Sequence, residues 1–103
     1  MSDKYVLDGH RAVPAESLVA WGRFFENRDA RRVATTEVGE VRVSTVFLGL
    51  DHSFGEGPPL LFETMVFGGP LDEEMDRYTT WEQAEAGHAA MVERVKASPR
   101  GNP

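Results

Sequence analysis

The sequence predicts an α+β domain in which an antiparallel sheet of about five strands carries two helices, in the order β-β-α-β-β-β-α. Two segments between residues 31 and 67 are rich in residues that favour strands, and the first alternates with the period of a strand. Two other segments repeat apolar residues with the period of a helix. No internal repeat or linker divides the chain, so we expect residues 1–97 to form one domain and residues 98–103 to form a disordered tail.

The first part of the chain is predicted to contain a hairpin followed by a helix. Two short strand-like runs flank the pair Asp8-Gly9, which tolerates the positive backbone angles of a tight turn. Pro14 suits the first turn of a helix, so the first helix is expected to run from about Pro14 to about Asn27. The residues of its buried face recur at helical spacing and are Leu18, Trp21 and Phe25.

The middle of the chain is predicted to supply three strands. Gly39-Glu40 can turn the segment from residue 31 to residue 50 into a hairpin. Its second strand alternates, with Val41, Val43, Thr45 and Phe47 on one face and Arg42, Ser44 and Val46 on the other. The run LLFETMVF from Leu60 to Phe67 is apolar on both faces and is therefore predicted to lie more centrally, with Glu63 as its conspicuous polar residue. Residues 70–77 are predicted to be an acidic connection.

A second helix is predicted directly after this connection. Thr80 with Gln83, or Thr79 with Glu82, can form a capping box. Gly87 lowers the stability of this helix by about 1 kcal/mol relative to alanine, which indicates a close packing contact. The apolar stripe of the helix consists of Trp81, Ala84, His88, Met91, Val92 and Val95.

Composition excludes several classes of function. The chain has no cysteine, so it forms no disulfide and no thiolate metal site. Its formal charge of -6 disfavours non-specific attraction to a nucleic-acid backbone, so an anionic ligand would need a local patch of arginine. The start of the chain lacks the pattern of a secretion signal, and no apolar run is long enough for a membrane span. We therefore expect a cytoplasmic protein without a membrane or nucleic-acid partner.

The loop after the second strand of the middle hairpin contains polar groups that allow more than one interpretation. Asp51 and His52, with Glu63 and His88, could be drawn as a metal site or an acid/base pair. Their spacing matches no known metal or catalytic motif, so the favoured interpretation has Asp51 capping a turn and His52 making one backbone hydrogen bond. His88 is expected to be a packed histidine with a satisfied ring nitrogen. The prediction includes no catalytic residue, no metal and no cofactor.

A ligand-binding role for the same loop is the second interpretation. The glycines and prolines of HSFGEGPP need only form a rigid turn, but such a turn could also present Phe54 for base stacking and His52 for hydrogen bonding.

The arginines divide into two groups. Arg42 and Arg77 carry guanidinium groups that suit a phosphate or a purine, although either could instead pair with Glu63 or Asp76. We favour an ion pair for Arg42 and hold both interpretations equal for Arg77. The other group is expected to be a solvated helix end and consists of Arg28, Arg31 and Arg32.

Two segments, STVFLGLDHSFGEGPPLLFETMVFGG and RYTTWEQAEAGHAAMVERV, resemble a family of small proteins encoded in tailed-phage and prophage genomes. The resemblance covers roughly residues 31–95, more than half of the chain. Small phage accessory proteins of this size often act against host defence, and several such families hold cyclic oligonucleotides or cyclic ADP-ribose-like immune signals without cleaving them. The resemblance therefore implies a non-enzymatic protein that sequesters a nucleotide signal.

The combined prediction is a homo-oligomeric phage protein that binds such a signal in the cytoplasm of the infected bacterium. The predicted ligand-binding residues are Arg42, Asp51, His52, Phe54, Glu63, Arg77 and Tyr78. Phe54 or Tyr78 would stack on the base, and Arg42 and Arg77 would face phosphate. The ribose hydroxyls or the base edge would be bound by Asp51, His52 and Glu63. Three alternatives stay open: an acidic inhibitor that imitates DNA with residues 72–76, an enzyme that degrades the signal with Asp51 and His52, and a minor component of the virion.

Overall fold

The computed structural model describes residues 3–53, 55 and 57–98, and it has the predicted α+β class. The part of the predicted tail from residue 99 onward lies outside the described residues. The elements of the described part are β1 Tyr5–Asp8, β2 Arg11–Pro14, α1 Leu18–Glu26, α2 Arg28–Arg31, β3 Arg32–Val38, β4 Val41–Phe47, β5 Phe62–Phe67, β6 Met75–Tyr78 and α3 Trp81–Ala97. None of these helices is long and apolar enough to cross a membrane.

The strands form two antiparallel sheets where the sequence predicts one. β1 and β2 make a two-stranded hairpin, and β3, β4, β5 and β6 make a four-stranded sheet in that order. The hairpin is tied to the end of β4 by backbone contacts, because the N–H of Tyr5 donates to the carbonyl of Gly49 at 2.9 Å and Lys4 forms a bridge with Leu50. Gly9 supplies the positive φ of 64° that the predicted hairpin turn requires.

The predicted acidic connection contains the fourth strand of the larger sheet. β6 pairs with β5 so that Met65 lies opposite Met75 and Phe62 lies opposite Tyr78. This segment was not recognisable as a strand because half of its residues are charged. Charged residues are typical of a short edge strand, where they oppose pairing with another chain.

The first helix begins later than predicted. Pro14 belongs to β2 and pairs with Tyr5, while the Ser17 side chain accepts a hydrogen bond from the N–H of Ala20 and so caps α1. Leu18 is 58% exposed, so its predicted burial is wrong. A one-turn helix, α2, follows α1 and was not predicted; it is capped by the side chain of Asn27.

The long helix α3 packs against one face of the four-stranded sheet and encloses the core. Its capping box between Thr80 and Gln83 is present as predicted. Two clusters of buried side chains lie between helix and sheet. The first consists of Val43, Val66, Met91, Val92 and Val95, and the second consists of Phe47, Leu61, Phe62 and Ala84.

The other face of this sheet, here called the open face, stays accessible. The alternation of β4 and β5 explains this arrangement, since the residues that point away from α3 are polar or only partly buried. Those on the two central strands are Arg42, Ser44, Val46, Glu63, Met65 and Phe67. The predicted division of β4 into two faces is therefore confirmed.

Candidate functional site

The predicted loop residues Asp51 and His52 hold the loop closed. The Asp51 carboxylate accepts hydrogen bonds from the N–H groups of Ser53 at 2.8 Å and Leu60 at 3.0 Å. These bonds, chiefly those from Ser53, lower the pKa of Asp51. The backbone N–H of His52 donates to the carbonyl of Leu60 at 3.0 Å. The turn-capping interpretation of Asp51 is confirmed, while Phe54, the predicted stacking residue of this loop, lies outside the described residues.

Arg77 and Tyr78 do not share a pocket, because successive residues of a strand point to opposite faces of the sheet. The Nε of Arg77 donates to Glu63 at 3.1 Å across the strand pair. This pair lies on the open face, and of the two interpretations of Arg77 the ion pair is the one observed. The Tyr78 ring lies on the other face and packs directly over Gly87 of α3. Burial raises the pKa of Tyr78, and a side-chain contact with Thr64 offsets this only in part.

The predicted stacking role of Tyr78 is therefore wrong, since its ring occupies the space above a helical glycine. Glu63 is likewise engaged with Arg77 and lies opposite Val46 on its other side. The close contact predicted at Gly87 is confirmed, and Tyr78 is its partner.

The favoured ion pair of Arg42 is not formed. Among the described residues, no carboxylate lies within 4.0 Å of this guanidinium. The strand register separates Arg42 from Glu63, because Glu63 lies opposite Val46 while Arg42 lies opposite Phe67 on β5 and Glu37 on β3. No ion pair joins Arg42 to Glu37 among the described residues. The Arg42 guanidinium lies 5.1 Å from the centre of the Phe67 ring, at cation–π distance.

Arg42 is part of a pocket on the open face, here called the arginine pocket. Its volume is about 530 Å³. It is lined by Arg28, Arg31, Arg32, Thr35, Arg42, Ser44, Val46 and Phe67. Half of these residues are arginines, and no carboxylate belongs to the lining among the described residues. The local patch of arginine that an anionic ligand would need is therefore present in a chain of net negative charge.

Arg31 is the most firmly held of these arginines. Its guanidinium lies 4.1 Å from the centre of the Phe25 ring, and its Nη1 donates to the carbonyl of Phe47 at 3.4 Å. Burial lowers the pKa of Arg31, and the positive charge of Arg28 lowers it further. Asp29 pairs with Arg32 at 3.3 Å, and it is the only ion-pair partner of a pocket arginine among the described residues. The pocket consequently keeps most of its positive charge uncompensated.

The arginine pocket was not predictable from local sequence patterns, because its residues come from separate elements. Three of its arginines lie on α2 and at the start of β3, and they were interpreted as a solvated helix end. The register of β3 and β4 places Arg32 opposite Val46, so this group lies beside the open face of β4. The signal in the sequence that could have located part of the pocket was the alternation of β4, which puts Arg42, Ser44 and Val46 on its polar face.

A second cavity, of about 440 Å³, lies between the hairpin and the start of α3. The ring of His10 stacks on Trp81 at one side of it, with ring centres 3.8 Å apart. Asp8, Arg11 and Glu82 also line this cavity. Because these charges have both signs, the cavity does not select an anion or a cation.

His88 forms a buried polar network, as expected for a packed histidine. Its Nε2 lies 2.8 Å from the Thr36 hydroxyl and its Nδ1 lies 2.7 Å from the Thr45 hydroxyl, which in turn contacts Thr64. Burial lowers the pKa of His88, so the neutral ring is favoured. The described residues contain no cluster of side chains suited to a metal ion. His88 therefore joins α3 to the sheet.

The chain was compared with known protein families, with curated proteins and with solved structures, and it matches none of them. The resemblance to a phage family stays a prediction, and the geometry of the arginine pocket is the main guide to function.

Proposed function

We propose that this protein is a non-enzymatic binding protein that sequesters a nucleotide signal, of the cyclic nucleotide or cyclic ADP-ribose type, in the arginine pocket. Its setting is part of the same proposal and rests on the resemblance alone: a phage protein that acts as a homo-oligomer in the cytoplasm of the infected bacterium and opposes host defence. The pocket replaces the loop as the proposed binding site, and Arg42 is the residue that the site predicted from the sequence and the arginine pocket share.

One observation carries the proposal: four arginines line a single pocket from which carboxylates of the described residues are absent. Each guanidinium presents a planar set of N–H donors that can bind a phosphate through two parallel hydrogen bonds. Arginines that only solvate a surface are normally interspersed with acidic residues, especially in a chain with 17 acidic and 11 basic residues. The pocket therefore favours an anionic ligand.

The structure gives less support to the alternatives. In the acidic segment, Asp72 accepts the N–H of Gly68 at 2.7 Å and Glu74 pairs with Arg94 at 3.1 Å. Two of its carboxylates thus serve the fold, which weakens the proposal of a DNA-mimicking surface. An acid/base role for Asp51 is disfavoured because its carboxylate already accepts two backbone N–H groups.

A thermal-shift and calorimetry screen against cyclic dinucleotides, cyclic trinucleotides and cyclic ADP-ribose isomers tests the proposal. A ligand present at about 1,000 times its dissociation constant stabilises the folded protein by roughly 4 kcal/mol, so a sequestering protein should show a large increase in Tm. Chromatography of the ligand released on heating should recover it intact, whereas an enzyme would release product.

Arg42→Ala should weaken binding at least tenfold without lowering the Tm of the unliganded protein, because Arg42 is exposed on the open face. Arg94→Ala is the matched control, since it removes the same charge from α3 on the other side of the sheet. The absence of a shift with every ligand, or equal losses in both variants, would contradict the proposal.

A further inference from the structure

The geometry points to a nucleotide whose ribose carries a base on one side and a pyrophosphate on the other as the ligand of the arginine pocket. In this arrangement a pyrophosphate group binds the arginines of α2, and the base stacks on Phe67. The inference rests on the proposed function and narrows it, because it favours a pyrophosphate of the ADP-ribose type over a cyclic oligonucleotide.

The phosphate end of the pocket is formed by Arg28, Arg31 and Arg32, at the junction of α2 and β3. Arg31 is held in place by the Phe25 ring and the Phe47 carbonyl, so little side-chain entropy is lost when it binds. Its Nε is buried without a partner among the described residues. Three arginines with only Asp29 as an ion-pair partner among the described residues suit the charge of a pyrophosphate better than the single charge of a phosphodiester.

The base end lies at the other limit of the pocket, where Arg42 and Phe67 face each other across β4 and β5. Phe67 is 42% exposed, although it is a large apolar residue. An exposed aromatic ring with a guanidinium over one face can stack a base on the face that the guanidinium leaves free. This end has a single arginine, so it is less suited to a pyrophosphate.

The distance between the two ends decides between ligand shapes. The four residue steps from Arg42 to Val46, which lies opposite Arg32, span about 13 Å along β4. Between them lie the paired residues Thr35 and Ser44, whose hydroxyls suit a ribose. A nucleoside diphosphate has this order of base, ribose and phosphates. A cyclic dinucleotide instead carries its two phosphates between its two bases, so the phosphates would lie over the hydroxyls of Thr35 and Ser44.

Calorimetry of the wild-type chain with ADP, ADP-ribose, AMP, cyclic di-AMP and inorganic pyrophosphate tests the inference. ADP and ADP-ribose should bind at least tenfold more tightly than AMP and cyclic di-AMP. If cyclic di-AMP binds as tightly as ADP, the inference is overturned while the proposed function stands. If none of the five compounds binds, the inference is overturned, and the proposed function fails as well only if no cyclic signal in the screen described above binds.

Two variants locate the ends of the ligand separately. Phe67→Ala should weaken ADP binding about tenfold and leave pyrophosphate binding unchanged, and Met75→Ala is its matched control. Met75 is also an apolar residue that is 41% exposed, but it lies outside the pocket lining. Arg28→Ala should weaken both ligands equally. An equal loss of ADP and pyrophosphate affinity in Phe67→Ala would overturn the assignment of the base.

Discussion

Replacing Gly87 by alanine should destabilise the protein, although the same change usually stabilises a helix. Alanine in the middle of α3 gains about 1 kcal/mol of helix propensity. The added methyl group, however, would overlap the Tyr78 ring, with its hydroxyl and two ring carbons as the closest atoms. Tyr78 packs in the cluster with Phe62, so forcing the ring aside costs about 1–3 kcal/mol. The net expectation is a loss of about 1 kcal/mol.

Gly22 provides the matched control, because it lies inside α1 and a methyl group built there meets nothing within 4 Å. Gly22→Ala should therefore stabilise the protein by close to 1 kcal/mol. The two variants are expected to differ by about 2 kcal/mol, which corresponds to roughly 8–16 °C in Tm for a domain of this size. Thermal unfolding followed by circular dichroism measures this difference directly.

The reasoning is refuted if Gly87→Ala stabilises the protein as much as Gly22→Ala does. That result would mean that the Tyr78 ring does not lie over α3 and is available on the surface. The stacking role that the sequence predicted for Tyr78 would then become tenable again.

Three further predictions concern the groups that hold the sheet and the loop. Because burial lowers the pKa of His88, the free energy of unfolding should fall as the pH drops below about 6.5, where only the unfolded chain takes up the proton. Urea unfolding across this range should show a shallower decline in His88→Gln. A double-mutant cycle with Glu63→Gln and Arg77→Met should give a coupling free energy of about 1 kcal/mol, with ligand affinity unchanged. Asp51→Ala should speed amide hydrogen exchange at Ser53 and Leu60, because it removes their acceptor.

Each of these predictions has a result that contradicts it. An unchanged pH slope in His88→Gln would mean that other groups cause the acid sensitivity. A loss of ligand binding in Arg77→Met with an unchanged Tm would return Arg77 to the binding site, as the sequence suggested. Unaltered exchange at Ser53 and Leu60 in Asp51→Ala would show that the loop is closed by other contacts.

Local features of the fold were predictable because neighbouring residues produce them. The capping box of Thr80 and Gln83 and the turn at Asp8-Gly9 each depend on a few consecutive residues. The two faces of β4 follow from alternation alone. β6 was missed because an edge strand carries charges instead of an apolar pattern, and its assignment as a strand depends on pairing with β5.

The candidate site was less predictable, since its residues are brought together by strand register. A guanidinium near two carboxylates in the sequence can pair with either one. The observed register places Glu63 opposite Arg77, and it places Arg42 between Phe67 and Glu37. Burial of the Tyr78 ring against Gly87 is likewise a contact between β6 and α3 that no local pattern contains.

The sequence by itself determined the α+β class, the strands β1 to β5, the long capped helix and the side of β4 that faces the core. These properties follow from periodicity and capping, which act over a few residues. Only the tertiary structure decided which charges neutralise each other and which remain uncompensated. Electrostatic interactions depend on distance in space, and the register of β3 on β4 brings the arginines of α2 and Arg42 into the lining of one pocket, with Glu37 opposite Arg42 but outside that lining.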